Sequence, residues 1–174
     1  MRTALILAAL IALPIVSNAK TDTARIEITR GGRTVLTLVG PESAGKFTIW
    51  SGPGTGAVQS DGSLLMSTSE RDYADWNAGE VQPPEKLTVY QVRFYCETPR
   101  WQAAELGPVQ LCYGVRYAVD PKTGNGYIQI PPEDDKEFPF GKQKIARGVE
   151  GRWYRSSKRW EKLVRPQIDA ARAR

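Results

Sequence analysis

Strict alternation of apolar and polar side chains is the strongest constraint in this chain. Between Ala24 and Arg30, Ile26 and Ile28 alternate with Arg25, Glu27 and Thr29. Between Leu87 and Cys96, Tyr90, Val92, Phe94 and Cys96 oppose Val89, Gln91, Arg93 and Tyr95. Between Val109 and Val119 one face collects Val109, Leu111, Tyr113, Val115, Tyr117 and Val119, and the other carries Cys112 and Arg116. A period of two belongs to half-buried strands, because successive Cβ atoms leave a pleated backbone on opposite faces. Each such strand needs a covering layer, so the chain must fold around at least one antiparallel sheet.

Turn chemistry orders these strands. Gly31-Gly32 supplies the positive φ of a tight hairpin turn, which returns Arg33 to Val39 against the first strand. Gly40-Pro41 then turns the chain toward a predicted third strand, Lys46 to Trp50, rich in aromatic and β-branched residues. The segment from Ser51 to Gly62, with Gly52, Pro53, Gly54 and Gly56, reads as a loop, and Leu64 to Met66 as a short apolar piece. Asp72 to Glu80 reads as one helical turn closed by Gly79. A loop holding Pro99, Trp101 and Gly107-Pro108 precedes the Val109 strand. Asp120 to Gly126 turns it into Tyr127 to Ile130, and the acidic, proline-flanked residues 133 to 140 form an exposed crossing loop. At the end, Ser156-Ser157 starts a helix with Trp160, Leu163, Val164, Ile168 and Ala171 on one face, kinked or divided by Pro166.

Strands first and helix last predict a mainly β, β-rich α+β fold. It takes the form of a small antiparallel sandwich or open barrel of six to eight strands, with the C-terminal amphipathic helix packed on the sheet.

The first nineteen residues set the compartment. Arg2, the apolar run Thr3 to Val16 and the small residues Ser17 and Ala19 have the form of a secretory signal peptide cut after Ala19. The remaining 155 of the 174 residues make one domain, residues 20–174, ending in a basic helical segment at about 156–172. The expected location is periplasmic or secreted, with no integral membrane segment once the signal is removed. Cys96 and Cys112, the only cysteines, should then be joined, closing a seventeen-residue loop.

Charge is placed unevenly. Lys142 to Arg174 carries eleven Lys and Arg against Glu150, Glu161 and Asp169, while residues 20 to 141 carry a net −4. Such a tail either meets an anionic partner or folds back on the acidic body. Within it, Arg147 to Arg155 and Lys158-Arg159-Trp160 mix cations with rings, as single-strand nucleic-acid binders and lipid interfaces do, with Trp153 and Trp160 equally suited to core anchoring.

The chain has no histidine, which excludes Ser-His-Asp and Cys-His catalysis and the usual zinc sites. Gly40-Pro41-Glu42-Ser43-Ala44-Gly45-Lys46 has P-loop spacing but continues with Phe47 in place of Ser or Thr and then a strand pattern, so it reads as a turn. Two acidic clusters remain. Glu70, Asp72 and Asp75 beside Tyr73 and Trp76 have the residue types of a glycosidic acid and base. Glu133, Asp134, Asp135 and Glu137 lack the spaced aspartates and glycine of a calcium loop and read as a solvated acidic loop.

No catalytic residue, metal ligand or cofactor is assigned. The expected function is that of an exported, non-enzymatic binding or assembly module; the alternative is a carboxylate-dependent hydrolase of an envelope glycan. The expected partner is a protein or anionic polymer of the envelope, in preference to nucleic acid, with peripheral membrane contact left open. Candidate ligand-binding residues are Trp50, Gly52 and Gly54 in the glycine-rich loop, where glycine lets main chain approach a ligand, and Arg152, Trp153 and Arg155 in the basic aromatic stretch.

Overall fold

The computed structural model describes residues 21–56, 59–62, 65–100, 102–132, 134–138 and 148–173. The expected signal, Leu64, Trp101, Glu133, the end of the acidic loop at 139–140 and residues 142–147 of the basic stretch lie outside them. Six strands form one open antiparallel sheet: β1 (Thr23–Arg30), β2 (Arg33–Val39), β3 (Thr88–Glu97), β4 (Val109–Val119), β5 (Gly126–Gln129) and β6 (Trp153–Arg155), in the order β2-β1-β3-β4-β5-β6. The predicted β-rich class with its C-terminal helix is therefore observed. Gly31 and Gly32 take φ values of 56° and 76°, the conformation their hairpin requires, and Arg30 pairs with Arg33 across the turn.

One face of the sheet is the core. Ile26, Ile28, Val92, Phe94, Val115, Tyr117 and Ile128 are fully buried on it. The cover is a helix pair, α2 (Lys158–Leu163) and α3 (Arg165–Arg172), with Val164 at the junction and Pro166 in the first turn of α3, as the kink signal indicated. Ser157 caps α2: its hydroxyl accepts the Trp160 amide at 3.0 Å and donates to the Asp72 carbonyl at 2.6 Å. Glu161 ties the helix to the sheet, its Oε1 accepting from Tyr117 at 2.9 Å and from Ser156 at 2.5 Å.

The predicted strand Lys46 to Trp50 does not form. Ala44–Lys46 is a single 3-10 turn, and the backbone beyond it is irregular, bonded through the Thr48 amide to the Arg71 carbonyl at 2.9 Å. Its apolar residues serve as cover for the sheet: Phe47 and Ile49 are fully buried, and the Phe47 ring meets Trp160 at 5.0 Å. Conversely, Trp153–Arg155, with no strand predicted there, pairs with β5, and Ala103–Leu106 makes one turn of helix, α1, inside the predicted 99–108 loop. The expected turn near Asp75 is a 3-10 turn at Trp76–Ala78, capped by Asp75 and ended by Gly79.

The face assignment of β4 also needs correction. Phe94 pairs with Tyr113 but Tyr95 with Leu111, so Cys112 is an extra, bulged residue. Beyond it Leu111 and Val109 fall on the face opposite Tyr113, and the bulge re-aims Cys112, whose alternation had placed it away from Cys96. The two cysteines are joined, with Cα atoms 5.9 Å apart. Among the described residues no helix is long and apolar enough to cross a membrane.

Closing a loop of this length stabilises by about 3 kcal/mol. The chain with both Cys96 and Cys112 replaced by Ser is expected to be less stable by that amount and so to unfold at lower denaturant concentration, measured by urea titration of the oxidised chain and the variant; coincident curves would refute this.

Candidate functional site

The second face of the sheet holds the chain's organised polar surface. Strand register places four rows across it: Val39–Arg25–Tyr95–Leu111, Thr37–Glu27–Arg93–Gly114, Thr29–Gln91–Arg116–Gln129–Trp153 and Val89–Ala118–Tyr127–Arg155. Arginine meets aromatic rings in this layer: the Arg25 guanidinium lies 3.8 Å from the Tyr95 centroid and that of Arg155 4.6 Å from Tyr127. Glu27 accepts from the Tyr95 hydroxyl at 3.1 Å, Arg93 donates to Gln91 at 3.3 Å and Arg116 to Gln129 at 3.4 Å. Sequence reasoning recorded these residues only as the polar half of the alternation. The signal lay in reading the polar positions of several strands together, where arginine and tyrosine recur.

Part of this face is covered by the acidic segment, which is a correction to its reading as an exposed loop. Phe138 is fully buried, seated where Gly114 has no side chain; a Cβ there would overlap its ring. Arg93 and Arg116 flank that ring at 5.8 and 5.5 Å. Arg116 pairs with Asp135 at 2.5 Å and with Glu137 at 3.5 Å. Asp135 also accepts the amides of Glu137 and Phe138 at 3.0 and 3.1 Å. Burial raises its pKa, but Arg116 and these amides outweigh burial and hold the carboxyl below the usual aspartate range. Asp134 is exposed.

Beside this strap, at the sheet end where β1 and β4 begin and β2 and β3 finish, lies a groove of about 550 Å3. Arg25, Val39, Pro41 and Val109 line it, with Val39 and Val109 65% and 37% exposed. Its charged lining is Arg25, Arg71, Asp22 and Glu97. Arg71 is committed to Asp22 at 2.9 Å, whereas Arg25 has no ion pair among the described residues; the buried Nε of each arginine lacks a hydrogen-bond partner. Gly40 and Gly45 of the P-loop-like segment reach the groove as a turn: the Gly45 amide bonds the Gly40 carbonyl at 3.0 Å and Lys46 pairs with Glu42 at 2.9 Å.

The six candidate ligand residues do not form one site. Trp50 is half-buried and donates its indole N–H to the Thr21 carbonyl at 2.7 Å. Gly52 does allow a close approach, but by the chain's own Trp76, whose ring would sit 2.7 Å from a Cβ at that position. Gly54, with φ 74°, lies in the turn beyond. Arg152 pairs with Glu80 at 3.3 Å, the one ion pair among the described residues between the basic tail and the acidic body. Trp153 and Arg155 point to the outer face from β6, while Tyr154 between them is buried against Trp76 at 5.0 Å. Trp160 is a core anchor, with no exposure at all.

The first acidic cluster has internal duties. Asp72 is buried and accepts from the Ser51 hydroxyl and, at 3.0 Å, from the Ser69 amide. Burial pushes its carboxyl up, with Asp75 adding to the rise, against the hydrogen bonds of Ser51 and Ser69. Asp75 caps the 3-10 turn by accepting the Ala78 amide at 3.2 Å, and Glu70 is exposed. Among the described residues no three acidic or cysteine side chains converge as metal ligands. Comparison of the chain with family models, with curated proteins and with solved structures finds no match.

The Asp135 anchor carries a pH signature. A carboxyl held down in the fold contributes stability above the unfolded aspartate value, near pH 4, and loses it as pH falls through the folded value. Asp135→Asn is expected to cost about 1–3 kcal/mol at neutral pH, and its deficit should shrink below about pH 3. Urea midpoints of the chain and the variant at the two pH values check this; a deficit independent of pH would contradict it.

Proposed function

We propose that this chain is an exported, non-enzymatic binding or assembly module, periplasmic or secreted, that meets a protein or anionic polymer of the envelope through the outer face of its sheet. The observation that carries the reading is that face itself, with Arg25 laid on Tyr95 in the lining of an open groove and Arg155 laid on Tyr127 at the other end of the sheet. Stacking on a ring holds a guanidinium in place while leaving its in-plane terminal donors to meet a carboxylate or other anion. Export is supported by the signal-like residues 1–19 and by the Cys96–Cys112 bond, which suits an oxidising compartment. The internal roles of Asp72 and Asp75 favour binding over carboxylate chemistry.

The test is a crosslinked pull-down of envelope extract by the disulfide-bonded chain and by the double variant Arg25→Glu, Arg155→Glu. Near-stoichiometric recovery of one partner is expected at low salt, with loss in about 1 M salt and in the variant. Recovery indifferent to both changes, or no specific recovery, rejects the proposal.

A further inference from the structure

The outer face already holds one ligand-like element, taken from the chain itself. Phe138 fills the space left by Gly114 between two arginines, and the carboxylates of Asp135 and Glu137 lie on Arg116. A ring in an apolar seat and a carboxylate on a neighbouring arginine form a complementary pair, because the apolar contact supplies burial and the fork of guanidinium donors supplies orientation. The groove at the β1 end repeats these features. Val39 and Val109 are apolar walls left exposed, and Arg25 stands between them on Tyr95 with no ion pair among the described residues.

We infer that this groove receives an extended acidic segment of another protein, a large apolar or aromatic side chain entering between Val39 and Val109 while a carboxylate one to three residues away pairs with Arg25. The inference rests on the outer face being the binding face and names the partner's chemistry. A volume of about 550 Å3 is within the range of ligand-sized clefts and accommodates an aromatic side chain with adjoining backbone. The charges set the polarity of the segment. Asp22 is neutralised by Arg71, leaving Arg25 as the cation available to a carboxylate, while exposed Glu97, paired in register with Val109, repels a carboxylate on the β4 side. The acidic residue therefore belongs over β1, away from Glu97.

The probe is a fluorescently labelled peptide of residues 134–138, Asp-Asp-Lys-Glu-Phe, titrated by anisotropy with the disulfide-bonded chain. Saturable binding is expected, weakened at least about tenfold by Arg25→Ala, by Val39→Ser, or by alanine in place of the peptide's phenylalanine. Poly-glutamate binding as well as the peptide overturns the inference in favour of a plain polyanion surface. Binding that responds to Gly114→Ala but not to Arg25→Ala or Val39→Ser shows the peptide replacing Phe138, and also overturns it. Absence of peptide binding while envelope recovery stays dependent on Arg25 removes this ligand class and leaves the binding module; absence of both removes both.

Discussion

The fold depends on the burial of Trp160. A single open sheet has two faces to cover, and here one is covered by pieces too short to be stable alone: two helices of six and eight residues and irregular chain around Phe47, Ile49 and Tyr73. Trp160 is where they meet, its ring 5.0 Å from Phe47, 5.7 Å from Tyr117 and 6.4 Å from Phe94. Its indole nitrogen is buried without a partner among the described residues, which costs about 1–3 kcal/mol. Removing a tryptophan's 150–250 Å2 from water yields roughly 4–6 kcal/mol, so packing outweighs the lost hydrogen bond.

With the core on one side, the two edges of the sheet are treated differently. The edge at β6 is closed by residues 74–81: the Asp75 amide bonds the Arg155 carbonyl and the Val81 amide bonds the Trp153 carbonyl, both at 2.8 Å. The edge at β2 has no strand beyond it among the described residues. There Ile28 pairs with Leu36 and Thr29 with Thr34, so Val35 is a bulged residue, a device that twists an edge strand away from further pairing. The face between these edges, with its arginines and tyrosines, is thus the broad organised surface left for contact.

Legibility differed between fold and site. The strands around Ile26, Val92 and Val115 were readable because their burial follows local alternation, and the Gly31-Gly32 hairpin because its turn is set by two adjacent residues. Lys46 to Trp50 was misread because aromatic and β-branched residues suit a strand and a covering segment alike; only the presence of Trp160 beneath Phe47 separates the two. The glycine-rich loop signalled a close approach without saying by what, and Trp76 proved to be the neighbour of Gly52. The acidic segment concealed Phe138 because its seat, Gly114, lies on a different strand.

By itself the sequence determined the antiparallel strands, which side of most strands faces inward, the helix after Ser157 and the availability of one cysteine pair, since each rests on neighbouring residues and on period. Tertiary structure decided what covers each face. It placed the bulge that brings Cys112 to Cys96, laid Phe138 on Gly114, and assembled Arg25, Tyr95 and the groove from four strands. These features arise from contacts between residues distant in the chain, where complementarity of shape and charge exists only after the sheet has formed.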